Sequence, residues 1–236
     1  MSDVNRKADL IVMKFPERFV GILAVVFALT CPRLEAAPIT FYTGDGGDVV
    51  NGGAAVNILP HPAWGDVSEL AGLAAGTAQW ISFVDSGYGG IDLPNAKSRN
   101  LGDQTARFTR TFDFSSETNL RLWLLADDTA IVRLLGPDGS VNTLFNAYPG
   151  QIDPCAPGGT GAGLGCVLAD MGNITLQGLT AGLYTLEVNA FQTNGWVFGA
   201  QYAGTVESVP EPASLLLVGI GLGAAAIRRR FTASRG

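Results

Sequence analysis

The stretch FTRTFDFSSETNLRLWLLADD, residues 108–128, decides the fold. Six of its apolar residues stand at even positions: Phe108, Phe112, Phe114, Leu120, Leu122 and Leu124. The positions between them are mostly polar, although Trp123 stands among the leucines. Side chains of a strand point alternately to its two faces, so this period of two predicts two antiparallel strands, each with one buried face.

The same alternation returns further along the chain. It involves Tyr184, Leu186, Val188, Ala190, Trp196, Phe198, Ala200 and Tyr202. Gly136-Pro137-Asp138-Gly139 suits a type I turn, with Pro at its second position and Gly at its fourth. Helical periodicity is weak, and only residues 67–75 are expected to form a turn or two. We therefore predict an all-β antiparallel sandwich or jelly roll over residues 38–206.

Parts of this region resemble known sandwich modules. Residues 108–128 with 134–139, and Trp80-Ile81-Ser82 upstream, resemble the central hairpin of galactose-binding-like jelly rolls. The stretch LTAGLY at 179–184 is similar to the late strand of pre-peptidase C-terminal sandwiches. Both resemblances imply a β-sandwich, and neither implies an activity, because one fold carries many functions.

Composition excludes some classes of protein. The chain has 236 residues, 15% of them charged, and a formal net charge of −6. Residues 37–208 carry six basic side chains against sixteen acidic ones. Such a surface does not fit the phosphate backbone of a nucleic acid. The single histidine, His61, means that any serine or cysteine triad would depend on this residue.

The N-terminus has the parts of a secretory signal. Lys14 and Arg18 precede the apolar run FVGILAVVFAL, residues 19–29, and the small residues Ala36 and Ala37 follow it. The run is short for a membrane span. We therefore predict a cleaved signal peptide over residues 1–37, recognised by the Sec export machinery.

The C-terminus has three parts in order. Val209-Pro210-Glu211-Pro212 comes first, the apolar segment 213–227 follows, and Arg228-Arg229-Arg230 closes it. The prolines interrupt any structure that continues from the domain. The apolar segment predicts a transmembrane helix whose arginines stay on the cytoplasmic side, with the domain outside.

This tail, residues 207–236, closely resembles the PEP-CTERM sorting signal of Gram-negative bacteria, which is sometimes also labelled an ice-binding-protein C-terminal motif. The resemblance implies export, transient anchoring in the inner membrane, processing near the motif by exosortase, and release to the cell surface or the extracellular space. It also implies an association with exopolysaccharide and biofilm. A plain C-terminal anchor is the alternative.

Two cysteines bracket a loop of small residues. Cys155 and Cys166 enclose APGGTGAGLG. In an exported protein we expect them to form a disulfide, because the compartment is oxidising and Cys31 is lost with the signal. The alternative is a thiol nucleophile that uses His61.

The candidate ligand-binding residues are Trp123, Asp127 and Asp128. Trp123 lies on the polar face of its strand, where an indole can stack on a sugar ring. The two carboxylates follow that strand and are weak candidates for Ca²⁺ ligands. A second acidic loop is Gly44–Asp48. The alternatives are a buried tryptophan and turn residues that cap backbone N–H groups.

No catalytic constellation stands out, and no other cofactor is expected. The leading hypothesis is a non-catalytic surface or matrix protein that associates with extracellular polysaccharide. The alternatives are a lectin-like module with a Ca²⁺-assisted site and an enzyme that acts on polysaccharide, which would need a facing pair of carboxylates.

Overall fold

The computed structural model describes residues 37–149, 155, 163–193, 196–209 and 221. The predicted signal peptide, apolar tail helix and arginine stop lie outside these residues. Contacts along the chain separate a compact unit, Glu35–Val209, from the two ends. Within the described part of the chain, no helix has the length and apolar composition needed to cross a membrane.

Twelve strands account for most of the regular structure in the described residues. They are β1 (Ile39–Tyr42), β2 (Val49–Val50), β3 (Gly53–Ala54), β4 (Val56–Asn57), β5 (Ile81–Ser82), β6 (Ala106–Phe114), β7 (Thr118–Asp127), β8 (Thr129–Leu135), β9 (Val141–Phe145), β10 (Gly172–Leu179), β11 (Gly182–Phe191) and β12 (Gly199–Ser208). Two short 3₁₀ helices, Glu69–Ala71 and Leu168–Asp170, complete the elements. The first of them lies inside the segment 67–75 for which a short helical turn was predicted.

The strands form two antiparallel sheets. Sheet I has the order β10-β7-β12-β5-β4, with β1 also paired to β12, and sheet II has the order β3-β2-β6-β11-β8-β9. All named strand pairs are antiparallel. The all-β sandwich predicted from the alternation is therefore confirmed.

The stretch 108–128 does not form the hairpin that its resemblance to jelly rolls predicted. β6 belongs to sheet II and β7 to sheet I, so the chain crosses between the sheets at residues 115–117. The physical reason is burial. Phe108, Phe114 and Leu120 all lie in the core between the sheets, where strands on opposite sides bury more apolar surface against each other than neighbours in one sheet.

The turn at Gly136–Gly139 forms as predicted between β8 and β9. The N–H of Gly139 donates to the carbonyl of Gly136 at 3.1 Å, and Gly139 has a φ of +80°. A residue with a Cβ adopts this conformation at a cost, which explains the glycine.

A second apolar cluster lies on the outer face of sheet I. Its members are Ile58, Val67, Ala71, Ala78, Trp80, Trp123, Leu125, Cys166, Val167 and Ala203. The segment that runs from β4 to β5 and the segment before β10 cover this face. We call this group the outer cluster. Some strand side chains in the outer cluster, such as Trp123, were expected to be exposed to solvent from their position in the alternation, and they are buried.

Candidate functional site

Trp123 belongs to the outer cluster and is only 4% exposed. Its side chain lies on the other face of β7 from Leu122 and Leu124, which face the sandwich core. The covering segments remove it from most of its contact with water. Sequence alternation correctly placed its face and missed the cover, because the cover comes from residues distant in the chain.

Gln201 fastens the cover to sheet I. Its side chain is 2% exposed and accepts a hydrogen bond from the N–H of Val67 at 3.0 Å. Its amide donates to the carbonyl of Ala78 at 2.8 Å and to Asp66 at 3.2 Å. A buried amide with all three bonds holds the segment in place, since losing a partner inside a protein is costly. No sequence signal marked Gln201.

Asp127 and Asp128 point into the fold. They are 2% and 0% exposed. Oδ2 of Asp127 accepts from the indole Nε1 of Trp64 at 2.6 Å, and Oδ2 of Asp128 accepts from the hydroxyl of Thr193 at 2.6 Å. These bonds hold loops in place. A structural role of this kind is the alternative that the sequence left open for the two carboxylates. Their Ca²⁺ role stays a prediction.

The disulfide between Cys155 and Cys166 is present, with a Cα–Cα distance of 5.0 Å. One oxygen of Asp127 and the two sulfurs lie within 4.8 Å of one another. Both sulfurs are joined to each other, so they do not offer thiolates to a metal. The bridge joins two residues of the segment before β10; Cys166 belongs to the outer cluster, and Cys155 packs against it.

The acidic loop Gly44–Asp48 is held by Arg110. The guanidinium donates to both oxygens of Asp45 at 2.7 Å. Burial opposes the ionisation of Asp45, yet its hydrogen bonds from Arg110 and Gly47 lower its pKa. Burial raises the pKa of neighbouring Asp48, which accepts from the hydroxyl of buried Tyr202. The carboxylates of this loop are used inside the fold.

Trp196 is 69% exposed, contrary to its predicted place in a buried alternation. β12 begins only at Gly199. Trp196 therefore lies before the strand, and the alternation of strand side chains between two faces does not apply to it. In the segment that follows β5, Tyr88 is 51% exposed and packs against His61 with ring centroids 5.4 Å apart. His61 therefore has aromatic neighbours, and it lies far in sequence from the disulfide-bonded cysteines.

A groove of about 430 Å³ lies on the outer face of sheet I beside the outer cluster. Its floor comes from three adjacent strands, β10, β7 and β12, and the 3₁₀ helix Glu69–Ala71 contributes to its side. Its lining consists of Leu70, Ala71, Asn119, Leu120, Arg121, Trp123, Thr175, Gln177, Thr205 and Glu207. It combines hydrogen-bond donors, hydrogen-bond acceptors and an indole. Of the sequence candidates, only Trp123 takes part.

The centre of the groove is a cross-strand row. Arg121 on β7 is paired with Thr175 on β10 and with Thr205 on β12. Neighbouring strands lie about 4.8 Å apart, so both threonines flank the arginine. The guanidinium carbon of Arg121 stands 4.5 Å from the ring centroid of Trp123, in a cation–π contact. Trp123 thus supports the groove from below.

The end of the domain is tied to the crossing between the sheets. The N–H of Val209 donates to the carbonyl of Glu117 at 2.8 Å. Val209 is the first residue of the predicted processing motif. Pro210, Glu211, Pro212 and the stop Arg228-Arg229-Arg230 lie outside the described residues.

Residues 208–230 match the family model of the PEP-CTERM protein-sorting motif. The chain therefore carries this motif, as the sequence resemblance predicted. The motif indicates an exported protein, which passes through the membrane and reaches the cell surface. No curated protein matches the chain.

Several solved structures are similar to the domain. A family 35 carbohydrate binding module from Clostridium thermocellum is 8% identical with a TM-score of 0.36, over 74% of this chain and 100% of that one. The K3 cleaved adhesin domain of Lys-gingipain from Porphyromonas gingivalis is 12% identical with a TM-score of 0.37, over 74% and 99%. An exo-beta-1,3-galactanase from Phanerochaete chrysosporium is 10% identical with a TM-score of 0.32, over 72% of this chain and 29% of the enzyme. The fold assignment itself rests on the strand topology of this chain.

Proposed function

We propose that this protein is a non-catalytic cell-surface protein, processed by exosortase, whose sandwich binds extracellular polysaccharide through the groove of sheet I. A signal peptide over residues 1–37 takes the chain into the Sec route. The tail holds it briefly in the inner membrane until it is processed near Val209. The domain then reaches the exopolysaccharide matrix.

The observation that carries the proposal is the composition of the groove. Sugar hydroxyls both donate and accept hydrogen bonds, and a binding site for them needs placed groups of both kinds. Arg121 donates, Glu207 accepts, and the exposed amide of Gln177 does both. Leu70, which is 45% exposed, offers an apolar contact to the C–H groups of a sugar ring. A floor that extends over three adjacent strands suits a ligand made of several sugar units.

The lining also favours binding over hydrolysis. Glycoside hydrolases generally use two carboxyl groups on either side of the scissile bond. Glu207 is the one carboxylate among the groove residues described by the structure. We therefore propose recognition without turnover. Ca²⁺ is not required in this proposal, because the groove ligands are an arginine, hydroxyls and amides.

The test is retention of the purified full-length chain on the exopolysaccharide of its own host, with Ca²⁺ and with chelator. We expect saturable retention that is equal in both conditions. The double variant Gln177→Ala/Glu207→Ala removes two exposed groups of the groove and is expected to weaken retention about tenfold or more, the effect of losing one good hydrogen bond or more.

The matched control is Thr111→Ala/Asp113→Ala. It removes one polar and one acidic side chain, both exposed, from β6 on the opposite sheet. We expect retention like that of the unmodified protein. Equal losses in both double variants, or no retention of the unmodified protein, would contradict binding through the groove. Loss of retention only in the presence of chelator would show that the binding depends on Ca²⁺.

A further inference from the structure

Arg121 is held differently from Arg110 and Arg133, the arginines of the described sandwich that form ion pairs. Arg110 is paired with Asp45 and Arg133 with Glu187. Arg121 is exposed and forms no ion pair with any residue that the structure describes; its described side-chain contact is the ring of Trp123. A cation in the middle of a groove is thus left available to a ligand.

The indole fixes the orientation of this cation. Arginine ordinarily loses much side-chain freedom when it binds a ligand. A guanidinium already stacked on an aromatic ring has lost part of that freedom, so its fork of N–H donors is pre-organised. A flat donor fork with two parallel N–H groups matches the two oxygens of a carboxylate.

The residues around Arg121 complete a carboxylate site. Thr175 and Thr205 flank it in the same cross-strand row and add hydroxyl donors. Glu207 is opposite Asn119, two residues along the strands and therefore about 6.6 Å from that row. The acidic group thus lies beyond the first row, where it can accept from hydroxyls of the same ligand.

The overall charge argues against a diffuse attraction for polyanions. Residues 37–208 carry six basic against sixteen acidic side chains. A net negative domain repels an anionic polymer at a distance. An acidic glycan would therefore bind only through a local, geometrically matched contact, and Arg121 is that contact in the groove.

We infer that the groove selects glycans containing carboxylate-bearing sugars, such as uronic acids, and that Arg121 binds the carboxylate bidentately. The inference rests on the proposed function and gives its ligand class. The carboxylate of one sugar lies against the guanidinium between the two threonines. Hydroxyls of the same or the next sugar meet Asn119, Gln177 and Glu207.

The test uses polygalacturonate, alginate and hyaluronate, each compared with its carboxyl-reduced form, in which the carboxylate becomes a primary alcohol and the linkages stay. Calorimetric titration of the full-length chain is expected to show at least one acidic polymer bound about tenfold more tightly than its reduced form. Dextran sulfate is added as an anion without carboxylates and is expected to bind no better than the reduced polymers.

Three variants assign the preference to Arg121. Arg121→Gln is expected to bind both forms equally, and Arg121→Lys to keep only part of the preference, because a single ammonium lacks the fork. The control Arg107→Gln removes an exposed positive charge from β6 of the other sheet. It lowers the net charge by the same amount and is expected to keep the full preference.

The outcomes separate this inference from the proposed function. Equal affinity for acidic and reduced polymers, equal binding of dextran sulfate, or a preference that survives in Arg121→Gln overturns the carboxylate inference alone. Retention on the host exopolysaccharide would still support the proposed function in each case. If none of the acidic polymers binds, the inference is wrong, and the host-polysaccharide test decides the proposed function separately.

Discussion

The indole N–H of Trp64 donates to Oδ2 of Asp127 at 2.6 Å, which joins the cover of the outer cluster to the last residue of β7. The ring of Trp64 also packs on Trp80, with centroids 4.0 Å apart. One side chain therefore links the segment between β4 and β5 to a central strand by both a hydrogen bond and an aromatic contact. The wall of the groove depends on this cover.

Replacing Trp64 with phenylalanine should destabilise the domain. Trp64→Phe keeps an aromatic ring and removes the hydrogen bond to a buried carboxylate, at a cost of about 1–3 kcal/mol. Urea unfolding measures the change in the free energy of unfolding. Trp196→Phe, at a tryptophan 69% exposed, is the control and should change stability by less than about 0.5 kcal/mol. Equal effects of the two substitutions would show that the bond to Asp127 contributes nothing.

Removing the disulfide should loosen the same cover. Cys155 and Cys166 are eleven residues apart, and opening a loop of this size costs about 2–3 kcal/mol. The variant Cys155→Ala/Cys166→Ala should unfold at lower urea concentration, and reductant should have no further effect on it. Cys31→Ser is the control, because Cys31 lies in the predicted signal. A wild type whose stability does not respond to reductant would contradict this account.

Gly204 should not tolerate a side chain. A Cβ at this position of β12 would meet the carbonyl oxygen of Arg121 and the ring of Phe41. Backbone cannot move aside as a flexible side chain can, so Gly204→Ala should cost about 1–3 kcal/mol in unfolding free energy. Gly53→Ala is the matched control on an edge strand, since its nearest neighbour would be 3.7 Å away. Comparable stability of the two alanine variants would count against close packing at Gly204.

Acid should weaken the domain partly through Glu187. Burial raises its pKa, but hydrogen bonds from Asn189 and Arg133 outweigh that effect and lower the pKa below the ordinary 4.5. The ionised form is therefore favoured by folding. Its contribution is present above pH 4.5 and is lost as the pH falls through the lower, folded-state pKa.

The measurement is the urea midpoint at a series of pH values from neutral into the acid range. Glu187→Gln should show a shallower loss of stability below the ordinary pKa than the unmodified protein. Glu117→Gln, at an exposed acidic residue, should follow the unmodified curve. If the urea midpoints of all three proteins fall in parallel as the pH is lowered, Glu187 does not contribute to the pH dependence.

Local patterns predicted the strands and not their partners. Leu120, Leu122 and Leu124 were correctly assigned to a buried face, because alternation reports which face a side chain occupies. By the same alternation Glu187, between Leu186 and Val188, is expected on the face opposite to the buried residues, yet it is only 5% exposed to solvent. Its burial depends on Arg133, which comes from a neighbouring strand 54 residues away. The prediction for Trp196 was wrong in the opposite direction: it was expected to be buried and is exposed, because β12 starts after it.

By itself, the sequence determined the alternation of the long strands, the Gly136–Gly139 turn, the cysteine pair and the sorting motif at 208–230. Each of these depends on residues close together in the chain. The tertiary structure alone decided that β6 and β7 lie in different sheets and that loops cover Trp123. It also brought Thr175, Arg121 and Thr205 into one row. Strand order and register follow from long-range burial of apolar faces, and a groove made from three strands exists only once they have paired.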